Sequence, residues 1–302
     1  MPLRDPTDTH CCPCVEERTS PLGELPLELV PADRFTIEEL VEAYNQTRVD
    51  YIVPMPMNAQ RLAEYVQHYD VDLSRSAVAL DGGEILGLAM LGVRPDHAWI
   101  TRLGVIPNRR KRGTGQALME YLIAQSEALG VSYTILEVIV GNEPAHNLFH
   151  KLGFQDIREL LIVRRPPGLP AVDVDPHAVL LAGHDQALEL LQDRRSAPSW
   201  LDETDSLRNV GGLAGIRVSL PGEGQGWLVY QENPFQLGRL VLQTEVGDPC
   251  RVARTLLHVL HRRHPTNDTK SENLPVDDPH WPALQEMGYF ESFRRIEMRL
   301  DL

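Results

Sequence analysis

The stretch LGVIPNRRKRGTGQALMEYL, residues 103–122, carries the most information about the structure of this chain. Its first residues have the apolar pattern of a strand that ends at Pro107, and its last residues have the pattern of a helix. A basic loop that contains Gly113 and Gly115 joins them. Free N–H groups at a helix N-terminus, the positive end of the helix dipole and glycines that expose the main chain together bind anions. The stretch therefore predicts a phosphate or pyrophosphate site.

Two common phosphate-binding motifs do not fit this loop. The ATP-type loop requires Lys and then Ser or Thr after its second glycine, and the dinucleotide fingerprint requires a small residue where Leu118 stands. Taken alone, the two glycines also suit a tight turn without a ligand, and the run Arg109–Arg112 also suits a solvated loop or a nucleic-acid patch.

The residues on both sides of the loop predict a mixed order of strands and helices. Upstream we predict a strand, two helices, a hairpin turned at Asp-Gly-Gly and a further strand; downstream we predict a helix, a strand, a short helix and a last strand. In chain order these segments are LPLELVPAD, TIEELVEAYNQTRVD, AQRLAEYVQHY, SAVALDGGEILGLAMLGVRP, AWITRLGVIP, GQALMEYLIAQSEALG, YTILEVIV, EPAHNLFHKLG and DIRELLIVRR.

The second part of the chain loosely repeats the first. An ungapped internal alignment that places Gly153 and Phe154 on Gly288 and Tyr289 also aligns the predicted elements that precede them. The cluster of Pro and Gly after Arg165 interrupts every periodic pattern. We therefore predict a flexible tail at residues 1–23, a first domain at 24–165, a linker at 166–170 and a second copy at 171–302.

The loop also fits Arg/Gln-x-x-Gly-x-Gly/Ala, and the segment LEVIVGNEPAHNLFHKLGF follows it. In both segments, and over roughly residues 79–163, the chain resembles the GNAT superfamily of N-acetyltransferases. The resemblance implies an α/β (α+β) fold of two GNAT-like domains. Each would have a mixed, mostly antiparallel sheet with a splayed central strand pair, flanked by helices.

The resemblance also implies acetyl-CoA as co-substrate. Its pyrophosphate would be held by the backbone amides of Arg110, Lys111, Arg112, Gly113, Thr114, Gly115 and Gln116. The strand at residues 100–105 would splay from the strand at 134–140. Main-chain groups of Leu103, Gly104 and Val105 would then be free for the pantetheine arm and thioester. Asn142 would help to hold that arm, with Phe149 beside it.

Glu137 stands where some family members place the carboxylate that deprotonates the amine. Burial would raise its pKa and improve it as a base, whereas a close Arg would lower it; a structural Glu–Arg pair is the alternative. Phe149 stands where the family often has a Tyr that protonates the leaving thiolate. Water or another Tyr would replace that hydroxyl, the thiolate would leave unassisted, or the domain would bind CoA without efficient turnover.

Other polar residues receive simpler interpretations. Asp96, His97 and Tyr51 could each reach a substrate, but we expect surface or packing roles for them. His146 and His150 lie four apart on a helix, but without a third ligand nearby they predict a solvated face rather than a metal site. Met55 and Met57 suit a pliable acceptor wall and ordinary packing equally.

The second copy lacks the phosphate loop. Arg110, Gly113 and Gly115 fall on Glu245, Asp248 and Cys250 in the same internal alignment, so carboxylates would repel a pyrophosphate there. Asp248 before Pro249 predicts a helix N-cap instead. We expect a degenerate domain kept for the acceptor pocket or for stability. Its helix histidines, His258, His261 and His264, share a face too loosely to predict a metal.

Composition limits the function classes. No run approaches a membrane span of about 18–20 apolar residues, and the start lacks a signal peptide's basic and apolar regions. The net charge of −14 disfavours nucleic acid as a partner and favours cationic amines. The cysteines, Cys11, Cys12, Cys14 and Cys250, suit a reducing, cytoplasmic compartment, and the first three with His10 are poorly spaced for zinc.

We therefore predict a cytoplasmic monomer or homodimer that needs no metal and no membrane. It would move an acetyl group from acetyl-CoA to a primary amine of a small molecule or peptide by direct attack. The alternative is a non-catalytic acyl-CoA sensor.

Overall fold

The structure of the chain is a computed structural model that describes residues 27–170, 172, 174, 178–220 and 224–302. Its strands are β1 (Glu28–Pro31), β2 (Ala77–Asp81), β3 (Glu84–Val93), β4 (His97–Val105), β5 (Tyr133–Ile139), β6 (Gln155–Arg165), β7 (Ala178–Ala182), β8 (Leu213–Leu220), β9 (Gly224–Glu232), β10 (Gln236–Val246), β11 (Asp268–Pro275) and β12 (Phe290–Asp301). Its α-helices are α1 (Ile37–Gln46), α2 (Ala59–His68), α3 (Thr114–Leu129), α4 (Glu143–Lys151), α5 (His184–Gln192), α6 (Thr204–Val210), α7 (Pro249–Arg263) and α8 (Trp281–Glu286).

The described strands form one sheet in the order β1-β2-β3-β4-β5-β12-β6-β11-β10-β9-β8-β7. Neighbouring strands are antiparallel except for β4 with β5 and β10 with β11, which are parallel. The predicted mixed, mostly antiparallel α/β fold is confirmed. The two predicted sheets are, however, one continuous sheet.

The continuity arises from an exchange of strands. In the internal alignment of Gly153 with Gly288, β6 of the first half corresponds to β12 of the second half. However, β12 pairs with β5 of the first half, and β6 pairs with β11 of the second half. β6 and β12 also pair with each other along the middle of the sheet. Each half therefore completes the other half's sheet, and the two halves share a backbone hydrogen-bond ladder.

Helices cover both faces of the sheet and enclose its cores. Leu118 and Leu122 of α3 are fully buried on one face, while Leu40 of α1 and Leu62 of α2 are buried in a separate cluster. Thr36 starts α1 with a capping box: its hydroxyl accepts from the Glu39 amide and its own amide donates to the Glu39 carboxylate. These contacts hold α1 and α2 over the end of β4, where the site lies.

A segment of the second half penetrates the core of the first. Trp200, in a 3-10 turn at Trp200–Asp202, is fully buried and stacks on Trp99 with ring centroids 5.6 Å apart. Its indole N–H donates to the Tyr69 carbonyl over 3.0 Å. Arg94 pairs nearby with Asp70 and Glu203. The two halves are thus joined by apolar packing and by ion pairs, in addition to the sheet.

Strand β11 was missed by the sequence analysis. Its sequence, DTKSENLP, has no apolar periodicity, although Thr269, Ser271 and Asn273 are buried between two neighbouring strands. Ser271 and Asn273 find hydrogen-bond partners in the tertiary structure, so their burial is compatible with a central strand. The predicted tail at residues 1–23 lies outside the described residues, and the predicted domain boundaries stay a prediction. No described helix has the length and apolar character needed to span a membrane.

Candidate active site

The loop between β4 and α3 has the open geometry that an anion requires. Lys111 and Gly113 take left-handed backbone angles, with φ of 65° and 86°. The amide of Ala117 is the first in α3 to bond back, to Gly113. No described group accepts a hydrogen bond from the backbone N–H groups of residues 111–116. They form a donor-lined cup at the positive end of a sixteen-residue helix.

Two further features show that a diphosphate fits this cup. The Lys111 and Arg112 side chains are exposed and have no ion-pair partner among the described residues. Gly115 has no positive φ, and a Cβ there would make only ordinary contacts of 3.7 Å with Leu148 and Val105. The fold therefore does not require glycine at position 115. The effect of the glycine is that no side chain covers the N-terminus of α3 there.

Arg110 does not belong to the cup, which corrects the expected set of amides. Its N–H already bonds to the Pro107 carbonyl over 3.3 Å. Its guanidinium donates to both oxygens of Asp50 and to the carbonyls of Thr47 and Val105. Those bonds to Asp50 hold the pKa of its carboxyl below the usual range. Arg110 ties the loop to the end of α1, so its role is to position the loop.

The predicted splay of β4 and β5 is confirmed. The parallel pairing begins at His97 with Tyr133 and stops at Ile100 with Leu136. Beyond that point β4 contains a bulge, where Arg102 takes a left-handed φ of 57°. The two strands separate there and open the sheet.

The gap contains a cavity of about 90 Å³, which we call the strand cleft. Its lining residues are Arg48, Tyr51, Ile100, Thr101, Arg102, Leu103, Leu136, Glu137, Val138, Asn142, Ala145 and Phe149. The Asn142 side chain makes no helix-capping bond and borders the cleft. Phe149 is 5% exposed and forms part of the wall, so an aromatic ring without a hydroxyl stands at this point.

Main-chain groups of β4 are less free than expected. The Ile106 N–H donates to the Leu86 carbonyl of β3. Hydrogen-bonded and non-hydrogen-bonded pairs alternate along antiparallel strands, so Gly104 and Leu88 form a hydrogen-bonded pair. The N–H and carbonyl of Val105 therefore point away from β3. The Leu103 carbonyl accepts from Arg48 over 2.7 Å, and the Val105 carbonyl accepts from Arg110. The main chain of Gly104 and these two carbonyls are therefore occupied, and the Val105 N–H remains directed toward β5.

A second cavity of about 170 Å³, the aromatic cavity, lies against the strand cleft. Its lining residues are Arg48, Tyr51, Met55, Tyr65, Tyr69, Trp99, Thr101, Arg102, Glu137, Ile139, Leu201, Glu272 and Arg295. Of the two methionines, Met55 borders it, while the main chain of Met57 is held by the Asn45 side chain. Tyr51 lines both cavities, so its side chain is placed to reach a bound molecule, the alternative to a surface or packing role.

Glu137 lies where the two cavities meet. Its Oε2 accepts from the Trp99 indole over 2.8 Å and its Oε1 accepts from the Asn273 amide over 3.1 Å. Burial raises its pKa to about 7, and Arg295 opposes that rise. The alternative of a Glu–Arg pair is not seen, because Arg295 bonds instead to Glu272 over 2.8 Å and to Asn273 over 3.0 Å. Glu137 therefore changes charge near neutral pH.

Glu272 is the counterpart of Glu137 in the internal alignment, and both line the aromatic cavity. Although burial disfavours its charge, Arg295 and Lys270 hold the pKa of Glu272 below its ordinary value. Two related carboxylates thus have opposite protonation behaviour in one cavity. Glu272, Asn273 and Arg295 belong to the second half, and no motif in the sequence signalled them.

His97 has the packing role and Asp96 the surface role expected of them. His97 is buried, bonds to Asp96 over 2.7 Å and to Glu203 over 3.0 Å, and stacks on Tyr133. Burial alone would lower the pKa of His97, but the bonds to Glu203 and Asp96 raise it. These residues border neither cavity.

His146 and His150 lie on a solvated face, as expected, with His150 exposed, but the premise that no third ligand lies nearby is wrong. Asp156 of β6 supplies a third ligand-type group beside them, and its Oδ1 lies 2.9 Å from His146 Nε2. Tertiary structure brings this carboxylate to the helix.

The second half shows the predicted loss of the loop. Asp248 accepts from the Arg251 amide over 2.7 Å and caps α7, which has Pro249 in its first turn. Glu245 is held by Arg217. His261 bonds to Tyr289, and burial lowers its pKa to about 3. His258 and His261 of α7 and His264, which follows it, bond to separate partners, namely Val172, Tyr289 and Tyr230.

Comparison with known proteins agrees with this geometry. Residues 37–154 match the model of the acetyltransferase (GNAT) family. The ribosomal protein bS18 alanine N-acetyltransferase of Escherichia coli is 35% identical over 74 residues, which is 24% of this chain and 50% of that protein. The chain therefore spans about half the length of the curated relatives that it matches.

Solved structures extend the likeness in fold to about nine-tenths of the chain. A tandem GNAT protein from the clavulanic acid biosynthesis pathway has a TM-score of 0.59 at 15% identity, covering 91% of this chain and 98% of its own. A GCN5-related N-acetyltransferase from Sphaerobacter thermophilus has a TM-score of 0.60 at 17% identity, covering 92% and 96%. At such identities the likeness concerns the fold. With the family match, the donor-lined cup and the splayed strands, it follows that residues 37–154 of this chain form a domain of the acetyltransferase (GNAT) family.

Proposed function

We propose that this protein transfers an acetyl group from acetyl-CoA to a primary amine of a small molecule or peptide by direct attack. The observation that carries the proposal is the position of Glu137, where a cleft suited to a thioester meets a cavity suited to an acceptor. A carboxylate with a pKa of about 7 accepts a proton readily at neutral pH.

The diphosphate of acetyl-CoA would bind the cup at residues 111–116, and the pantetheine arm would enter the strand cleft beside Asn142. The Val105 N–H, turned away from β3, would donate to the arm or to the thioester oxygen. A preorganised donor at the thioester oxygen stabilises the negative charge that develops there, commonly the largest single contribution to such catalysis.

The acceptor would reach the thioester through the aromatic cavity. Ionised Glu137 takes one proton from the ammonium group, directly or through a water, and leaves a nitrogen lone pair. The amine nitrogen attacks the carbonyl carbon, the carbon–sulfur bond of the tetrahedral species breaks, and CoA leaves as a thiolate. The new amide nitrogen releases its second proton to water, and the thiolate takes up one proton. The products are therefore an N-acetyl amide, CoA and one proton, which reaches solvent when Glu137 is deprotonated again.

We assign the proton donor for the thiolate to Tyr51, because Phe149 has no hydroxyl. Tyr51 lines both cavities, and the Arg48 guanidinium lies 4.3 Å from its ring centroid. A neighbouring cation stabilises the phenolate that forms when the proton leaves. Tyr51→Phe should lower kcat about tenfold and leave acetyl-CoA affinity unchanged. Retention of full kcat would favour a thiolate that leaves without assistance.

One experiment separates this proposal from an acyl-CoA sensor. Isothermal titration calorimetry gives the affinity for acetyl-CoA, and CoA release is then followed with a panel of small amines and peptides. We expect binding, and CoA release only when an amine is present, with kcat reduced in Glu137→Gln but with unchanged acetyl-CoA affinity. Binding without CoA release for any amine would support the sensor, and absence of binding would overturn both. We place the reaction in the cytoplasm, consistent with its co-substrate and cysteine usage.

A further inference from the structure

We propose that His146, His150 and Asp156 form a binding site for a zinc-type divalent cation, outside the acetyl-transfer site. Three potential ligand atoms converge there. The Nε2 atoms of His146 and His150 are 3.0 Å apart. Asp156 Oδ1 lies 2.9 Å from His146 Nε2 and 3.2 Å from His150 Nε2. Zinc bonds of about 2.0–2.1 Å at tetrahedral angles separate ligand atoms by about 3.3 Å. The triangle is therefore nearly the size that a bound zinc ion requires.

The hydrogen bonding of His150 strengthens the case. Its Nδ1 lies 3.1 Å from the Phe154 carbonyl, which can only accept, so Nδ1 carries a proton. In the neutral ring Nε2 then carries a lone pair on the side of His146 and Asp156. A cation between the three atoms would bind to this lone pair. Metal-bound histidines commonly donate their other N–H to a backbone carbonyl in this way.

The chemistry of the donors selects the ion. Two imidazoles and one carboxylate suit zinc, and three protein ligands leave a fourth position for water. The histidines lie one helical turn apart on α4, and Asp156 lies at the start of β6. A bound ion would therefore fasten α4 to β6. Because α4 also carries Phe149 and begins next to Asn142, the ion would stiffen one wall of the strand cleft.

The test uses the full chain with Cys11, Cys12 and Cys14 changed to Ser, so that the N-terminal cysteines bind no metal. After chelation and dialysis, Zn²⁺ is titrated by calorimetry and Co²⁺ by its visible absorption. We expect one equivalent of Zn²⁺, a tetrahedral Co²⁺ spectrum and a raised melting temperature. His150→Gln and Asp156→Asn should each weaken binding by at least tenfold, whereas the control His68→Gln should not.

Zinc binding that is unchanged in both ligand variants would overturn the site. So would an absence of zinc binding in the parent chain.

A second inference rests on the proposed acetyl transfer and concerns the acceptor: we infer that it carries a carboxylate near its amine, as amino acids do. Arg48 and Arg102 line both cavities, and neither has an ion-pair partner among the described residues. The Nε atoms of both are buried without a hydrogen-bond partner. Arg102 otherwise contacts Tyr44 and the face of Tyr65, with 4.1 Å between its guanidinium carbon and the ring centroid.

The guanidinium groups of Arg48 and Arg102 need an anion to balance their charge, and acetyl-CoA would place no negative charge beside them. The phosphates would bind at the cup, and the pantetheine arm that enters the strand cleft is uncharged. Of the acidic residues in the aromatic cavity, Glu272 is paired with Arg295 and Glu137 is only partly ionised at neutral pH. The cavity is thus locally positive, although the net charge of the whole chain is −14. The expectation of a cationic amine rested on that net charge, so it does not apply to the cavity.

The test compares CoA release for a free amino acid, its amide and its decarboxylated amine. We expect kcat/KM to be at least tenfold higher for the amino acid, and Arg102→Gln to abolish that preference with unchanged acetyl-CoA affinity. Arg48→Gln should reduce the preference, and Arg254→Gln, on the surface of α7, should not. Equal rates for the three amines, or a preference that survives Arg102→Gln, would overturn the inference. If no amine yields CoA, acetyl transfer itself fails, and this inference fails with it.

Discussion

The Asn273 side-chain amide donates a hydrogen bond of 3.1 Å to Glu137, although 136 positions separate the two residues. Arg295 in turn donates to the Asn273 oxygen over 3.0 Å, which fixes the orientation of the amide. A strand of the second half therefore supports the proposed base of the first half. The degenerate copy contributes to the acceptor side of the site as well as to the sheet.

This relationship predicts a shift in the pH profile. Asn273→Gly removes the donor and tolerates the left-handed φ of 62° at that position. Because a hydrogen bond to a charged group favours the ionised form, its loss should raise the pKa of Glu137 and move the acidic limb of kcat/KM upward by about one pH unit. Asn209→Gly, on the surface of α6, is the control. An unmoved limb would contradict the supporting role of Asn273.

Glu137 should also make stability depend on pH. Its pKa is about 7 in the folded protein against an ordinary value of 4.5, so the folded state binds more protons between those values. Stability that the protonated carboxyl contributes is therefore present below about pH 4.5 and lost as pH rises through 7.

Glu137→Gln removes this dependence. The free energy of unfolding of the variant minus that of the wild type should rise by roughly 1–3 kcal/mol from pH 5 to pH 8. A constant contribution of the amide cancels in this comparison. Urea unfolding at several pH values measures the difference. Its kcat at pH 7 should fall about 10²–10⁴-fold. A free-energy difference that stays constant with pH would show that Glu137 is not protonated near neutrality.

The two glycines of the cup should respond differently to alanine. Gly115→Ala adds a Cβ that the fold accommodates, so we expect an unchanged or slightly raised melting temperature and a weakening of acetyl-CoA binding by about tenfold. Gly113→Ala places a side chain at a φ of 86°, which should cost about 1–2 kcal/mol of stability. Calorimetry and thermal melts on the pair measure both effects. Full acetyl-CoA affinity in Gly115→Ala would argue against a diphosphate at this helix end.

The junction between the halves should depend on Trp200. Trp200→Ala removes a fully buried ring stacked on Trp99 and leaves the Tyr69 carbonyl without its indole donor. We expect a loss of about 3–5 kcal/mol in the free energy of unfolding. Chemical denaturation followed by tryptophan fluorescence and by circular dichroism tests this, with the exposed Phe235→Ala as control. A loss below about 1 kcal/mol would mean that the two halves are held chiefly by the exchanged strands.

Local sequence was sufficient for most elements and for the cup. The internal alignment of the two halves places α3 on α7 and β6 on β12 almost residue for residue. The hairpin at Gly82 and Gly83 and the Asp248 cap followed from turn and capping preferences. These features depend on residues near in sequence, so their patterns survive without knowledge of the fold. Arg110 is the exception, because its ion-pair partner Asp50 lies 60 positions away.

The sequence by itself determined the family that residues 37–154 match, the order of strands and helices along most of each half, the loop proposed to bind a diphosphate and the candidate base. The tertiary structure alone decided the exchange of β6 and β12, the second-half residues Glu272, Asn273 and Arg295 around Glu137, and the approach of Asp156 to the histidine pair. The reason is physical: apolar periodicity and turn chemistry report burial and backbone conformation, whereas a polar side chain is informative only once its partner is known. Strand β11 escaped prediction because its buried side chains are polar, and Ser271 and Asn273 find their partners across the sheet.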